Sequence, residues 1–163
     1  MAPPELHLRP ARESEIPEIM GMIRDLATHL GMQDEVIATE ETLRAALFDP
    51  HPDAEVIMAF LDGEAAGFAL FFQTYSTFRG RCGLHLEDLY VKPEWRGFSV
   101  GKRLLAYLAR VTLARECGRL EWSALGADEA AVAFYEGMGA TAKEEWTMYR
   151  LKGDALRALA SEA

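Results

Sequence analysis

Between Leu86 and Leu105 the chain reads LEDLYVKPEWRGFSVGKRLL, and two kinds of chemistry sit side by side there. Glu87 and Asp88 are adjacent carboxylates in the apolar run Leu86–Val91, which Pro93 ends. A carboxylate beside an amine relays its proton, directly or through water. Strict alternation would set Glu87 on one face with His85 and Leu89, and Asp88 on the other with Leu86 and Tyr90. Arg96-Gly97-Phe98-Ser99-Val100-Gly101 then leads into a segment whose apolar residues, Val100, Leu104, Leu108 and Val111, have helical spacing. A glycine-containing loop from strand to helix aims unpaired backbone N–H groups at one point, where the helix dipole favours negative charge. That is a phosphate cradle, and Lys102 and Arg103 add positive charge beside it. It lacks the Gly-Lys-Ser/Thr ending of a P-loop, and its glycines do not follow G-x-G-x-x-G. The residues alone leave two other readings open, an ordinary strand-to-helix turn and a solvated or Arg96-paired acidic strand.

Further along, Tyr135 is a phenol late in a segment that Asp128 would cap as a helix. It is either a proton donor or a core-edge aromatic with its hydroxyl on the backbone. Cys82 and Cys117 have no CxxC spacing and no histidine-rich company, so neither a metal site nor a disulfide scaffold is expected, and a reducing cytoplasm fits. His85 reads as structural, and Met20, Met22, Met32 and Met58 as apolar packing.

The elements that must position these residues follow from periodicity. Leu6–Arg9 reads as a short strand. Ile16, Ile19, Met20, Ile23, Leu26 and Leu30 keep helical spacing after Ser14 as N-cap, and Gly31 ends that helix. Thr39 caps a second helix carrying Leu43, Ala46 and Leu47. Val56–Leu61 and Ala66–Thr74, joined through Asp62-Gly63, form a hairpin. Then come a strand over Gly83–Val91, a helix from Ser99 to Glu116, a strand over Leu120–Leu125, and a helix from Asp128 to Met138. A late strand over Glu144–Leu151 and a tail helix over Asp154–Ala160 complete the order. No repeat or linker breaks the chain, so 163 residues read as one mixed α/β domain, residues 1–163.

The formal charge is −9, which argues against a nucleic-acid partner and modestly favours a cationic substrate. No apolar run is long enough to span a membrane, and the start of the chain has neither the basic nor the apolar part of a signal peptide.

Four stretches in order resemble the GNAT acetyltransferases, closest to the spermidine/spermine and thialysine branch. They are Thr74–Arg81, Leu86–Val91, Arg96-Gly97-Phe98 leading to Gly101, and Phe134-Tyr135-Glu136 followed by Gly139-Ala140. The resemblance covers nearly the whole chain. It implies a single-domain GNAT fold, a mixed central sheet flanked by helices with the acetyl-CoA loop at the strand-to-helix turn. It also implies acetyl transfer to a small primary amine, with acetyl-CoA as co-substrate and no metal. Glu87 matches the family's base and Tyr135 the tyrosine that protonates the leaving thiolate. Arg96, Gly97, Phe98, Ser99, Val100, Gly101 and Lys102 match the pyrophosphate loop, and the backbone of Leu89, Tyr90 and Val91 would bind the thioester carbonyl. Ser99 stands where the family usually has its first glycine; its hydroxyl can cap the helix, and a positive φ there would cost roughly 1–2 kcal/mol. Asp128 holds the place of an asparagine that bonds the pantetheine arm, but an ionised aspartate only accepts, so a cap fits it better.

The resemblance leaves Asp88 as a substrate-pocket acid, with Tyr75, Arg79 and Arg81 as further substrate residues. Polyamine enzymes carry acids where this chain has Ser76 and Leu30, so a thialysine-like amino acid is expected over spermidine, its carboxylate on Arg79 or Arg81. The alternatives are a CoA-binding regulatory module and an acetyltransferase acting on protein lysines or N-termini. Relatives in this branch imply a homodimer built on the late strand, with no nucleic-acid or membrane partner.

Overall fold

A computed structural model of the chain describes residues 4–125 and 128–163. It divides into two compact units, Met1–Ser123 and Ala124–Ala163.

The first unit is built on a five-stranded sheet in the order β1-β2-β3-β4-β5. Strands β1 (Leu6–Pro10), β2 (Glu55–Leu61), β3 (Glu64–Ser76) and β4 (Arg81–Val91) are antiparallel neighbours, and β5 (Leu120–Trp122) joins β4 in parallel. The β2–β3 turn has Asp62 and Gly63 both at positive φ, 50° and 86°, the backbone whose twist suits a two-residue hairpin loop. The parallel step from β4 to β5 needs a crossover, which the helix α3 (Val100–Ala114) supplies.

One face of the sheet packs on helices α1 (Ile16–His29) and α2 (Glu40–Phe48). The helical spacing of α1 buries Ile16, Ile19 and Met20 with Leu43 and Leu47 of α2, against Val56, Met58, Phe68 and Tyr90 of the strands. Thr39 caps α2 by accepting from the Thr42 amide at 3.2 Å. Ser14 is not the cap of α1, because Glu13–Glu15 form a turn of 3-10 helix ahead of it. The other face buries Ala69, Phe71, Leu84 and Leu86, and α3, which packs on β3 and β4, buries Val100, Leu104 and Leu108.

Cys82 and Cys117 are joined by a disulfide, which overturns the expectation drawn from their spacing. Folding brings the start of β4 beside the end of α3, where the Gly118 amide also donates to the Cys82 carbonyl at 2.8 Å. Sequence spacing carries no information about two positions that only the crossover makes neighbours.

In the second unit, α4 (Glu129–Glu136) and α5 (Gly153–Ala160) are the regular elements among the described residues. Asp128 caps α4, accepting from the Ala131 amide at 3.0 Å. The late strand expected over Glu144–Leu151 is absent. Its side chains alternate, but a strand also needs a neighbour's hydrogen bonds, and these residues pair with no strand among the described residues. Trp146, Met148 and Tyr149 are exposed there, at 73%, 71% and 91%.

Candidate active site

The centre of the site is an irregularity in β4. Asp88 pairs with Leu70 while Leu86 pairs with the next residue of β3, Phe71, so Glu87 is the extra residue of a bulge. Residues directly opposite share a face, and Leu70 and Phe71 face opposite ways. The bulge therefore corrects the strict alternation expected for this strand. Asp88 leaves the face of Leu86 and joins Tyr90 and His85 on the side packed by α1 and α2.

Glu87 is exposed at the bulge, its carboxylate 3.6 Å from His85 Nε2, an ion-pair distance. The His85 ring packs against Phe72, its cross-strand partner, with centroids 5.1 Å apart. Asp88 is only partly exposed, and burial, then the neighbouring Glu87 charge, raises its pKa to about 6. The bulge thus separates the two acids by environment, an open carboxylate beside a desolvated one.

Past the bulge, β4 has an open edge. Among the described residues, strand β5 pairs with Leu84, His85 and Leu86, and residues 87–91 run on without a described strand partner on that side. Their outward N–H and C=O groups can bind an extended, amide-bearing ligand as a further strand would. Leu89, Tyr90 and Val91 lie on this stretch. On the opposite side β3 approaches closely: a Cβ on Gly67 would lie 2.4 Å from the Tyr90 carbonyl.

The open edge leads directly to the loop over residues 96–99 ahead of α3. Arg96 Nε donates to the Val91 carbonyl at 3.1 Å, tying the loop to the strand end. Trp95 and Phe98 meet edge to face at 6.2 Å. Gly97 has φ 86° and Ser99 φ 62°, both left-handed. Ser99 is the N-cap of α3, yet its side chain makes no cap hydrogen bond. The hydroxyl cap open to a serine here is not made, and the positive φ is adopted. The first intrahelical bond runs from the Arg103 amide to the Ser99 carbonyl, 3.0 Å, which leaves the preceding amides of the first turn as donors for an anion.

The substrate residues expected from the sequence do not gather in one place. Tyr75 and Arg81 line a cavity of about 690 Å3 with Cys82 and Leu113, at the opposite end of β4. Arg79 lies in the turn that ends with Gly80 donating to Ser76. Arg81 precedes Glu87 by six residues, roughly 20 Å of extended strand.

In the second unit, Tyr135 lies in the last turn of α4, half-buried, its ring 5.4 Å from Phe134. Burial, then the Asp128 carboxylate, raises its phenol above the ordinary value, so the proton stays on at neutral pH. No group of histidine, cysteine or acidic side chains suited to a metal occurs among the described residues.

Sequence reasoning missed the bulge, the disulfide and a second cavity. That cavity, about 380 Å3, is lined by Asp25, Thr28, His29, Tyr90, Pro93 and Arg96. Asp25 and His29 are four apart on α1, a helix-face spacing visible in sequence, though nothing there shows which strand they meet.

Residues 20–140 match the acetyltransferase (GNAT) family. The chain is 34% identical over 166 residues to a thialysine N-epsilon-acetyltransferase of Bos taurus, covering 95% of this chain and 97% of that one. The Mus musculus protein of the same name is 36% identical, covering 94% and 96%. Among solved structures, an integron cassette protein from the mobile metagenome of V. cholerae superposes with a TM-score of 0.79 at 25% identity, covering 95% and 97%.

Proposed function

This chain belongs to the acetyltransferase (GNAT) family and is an N-acetyltransferase, and we propose that its acceptor is the side-chain amine of a small lysine-like amino acid such as thialysine. The carrying observation is the unpaired edge of β4 over residues 87–91, running straight into the amide-rich start of α3. An acyl donor with amides along its arm and a pyrophosphate at its far end fits such an edge followed by such a loop. Enzymes of this family take acetyl-CoA as co-substrate. The backbone of Leu89, Tyr90 and Val91 would hold its arm, and the loop from Arg96 to Lys102, through the amides of Phe98 to Lys102, its pyrophosphate. Asp128 is occupied as the cap of α4 and has no assigned part in coenzyme binding here.

In this proposal the residues divide the proton work. An alkylamine has a pKa near ~10.4, so it arrives as an ammonium and must lose a proton before attack. Glu87, exposed at the bulge, takes that proton through water. Tyr135, held protonated, gives one to the departing thiolate. Asp88 lies beside the attack point, and its burial cost falls when a cation binds next to it. Further parts of the proposal are a homodimer, supported by exposed Trp146, Met148 and Tyr149, and a cytoplasmic setting, where the Cys82–Cys117 bridge would face a reducing pool.

The test is acetyl-CoA consumption with thialysine, lysine and spermidine, for the wild type and Tyr135→Phe. Thialysine should have the higher kcat/KM, and Tyr135→Phe should cut turnover by roughly 10²–10⁴ with coenzyme affinity within a few-fold. Spermidine as the better acceptor would move the assignment to polyamines. Coenzyme binding without turnover on any amine would make the chain a regulatory module instead.

A further inference from the structure

Within the acceptor class just proposed, we infer that the cavity between α1 and the end of β4 receives the non-reacting end of the acceptor, an α-amino-acid head with its ammonium at Asp25 and its carboxylate at Arg96. Asp25, Thr28 and His29 form the α1 wall, and Tyr90, Pro93 and Arg96 the other. Among the described residues Asp25 has neither a hydrogen bond nor an ion pair; the Tyr90 phenol is raised above its ordinary value by burial first and by the Asp25 charge second. The Arg96 guanidinium is anchored through Nε to the Val91 carbonyl, and among the described residues its remaining N–H donors have no carboxylate partner. The pyrophosphate is assigned to the amides of Phe98 to Lys102, while Arg96 lines this cavity.

Charge selects the ligand class. A cavity of about 380 Å3 with one carboxylate and one guanidinium on its walls suits a zwitterion, which satisfies both. A second ammonium alone would leave Arg96 opposed, and a simple anion would leave Asp25 opposed. Position then sets the length. Asp88 shares the Tyr90 face of β4 two residues earlier, about 7 Å along the strand. An amine delivered to Glu87 and Asp88 from a head in this cavity belongs to a molecule of lysine length. Arg79 and Arg81, the other cations offered for the carboxylate, stand at the far end of β4.

The experiment measures kcat/KM of the full chain for three acceptors: thialysine, its decarboxylated diamine, and the monoamine of equal length. Asp25→Asn should lower the value for thialysine about ten- to a hundredfold, through KM. It should change the monoamine far less, so the thialysine-to-monoamine ratio collapses, while the KM for acetyl-CoA holds. Asp25→Glu should restore part of the ratio, which a merely structural role for Asp25 would not do. A ratio within twofold of wild type in Asp25→Asn overturns this inference and leaves the proposed acetyltransfer standing. A wild type that favours the monoamine over thialysine also overturns it. A wild type that acetylates none of the three overturns the proposed acceptor class and this subsite together.

Discussion

Two neighbouring carboxylates are made unequal by one inserted residue. The bulge leaves Glu87 open and turns Asp88 toward the α1 side, where burial raises its pKa to about 6. An acid whose folded pKa lies above its unfolded value favours the native state while protonated. Its contribution is fullest below about pH 4, is lost as the pH climbs to about 6, and stays lost above. Burial, together with the Glu87 charge, amounts to roughly 3 kcal/mol at neutral pH. Asp88→Asn should therefore raise the melting temperature at pH 7 and leave it nearly unchanged at pH 4. Melting curves that move equally at both pH values would show that Asp88 is not desolvated.

At the scale of elements, the start of α3 carries strain that sequence alone left conditional. Ser99 holds φ 62°, a left-handed backbone that costs a residue with a Cβ roughly 1–2 kcal/mol. Ser99→Gly should stabilise the protein by about 1 kcal/mol and hold or improve coenzyme affinity, since its hydroxyl caps nothing. Gly101→Val should weaken coenzyme binding sharply, because a branched side chain in the first turn obstructs an approaching phosphate. Calorimetry giving unchanged affinity in Gly101→Val would remove the loop from the coenzyme site. At the other end of α3 the disulfide closes a loop of sequence separation 35 that contains the bulge and the proposed coenzyme loop. The loop-closure term for that length is about 4 kcal/mol, so Cys117→Ser should lower the unfolding free energy by an amount of that order. A denaturant midpoint that is the same for wild type and variant under oxidising conditions would mean that the bridge does not form.

For the whole molecule, the unpaired late segment bears on assembly. Trp146, Met148, Tyr149 and Leu151 are exposed, an apolar series that a second copy would cover by supplying the missing strand neighbour. Sedimentation at micromolar concentration should give twice the mass of one chain, and a single-chain mass would exclude the dimer. The amino-acid sequence by itself determined the order of elements as far as α4, the amphipathic faces of α1 and α3, the Asp62-Gly63 hairpin, the cap at Asp128 and the strand-to-helix loop. These follow from local periodicity and turn chemistry, which neighbouring residues carry between them. Tertiary structure decided the rest. The bulge at Glu87 depends on the register of β3, the disulfide on the crossover through α3, and the cavity of Asp25 and Arg96 on how α1 lies across β4. The alternation over Glu144–Leu151 formed no strand because pairing is supplied by a partner, and no residue carries its partner's hydrogen bonds within its own sequence.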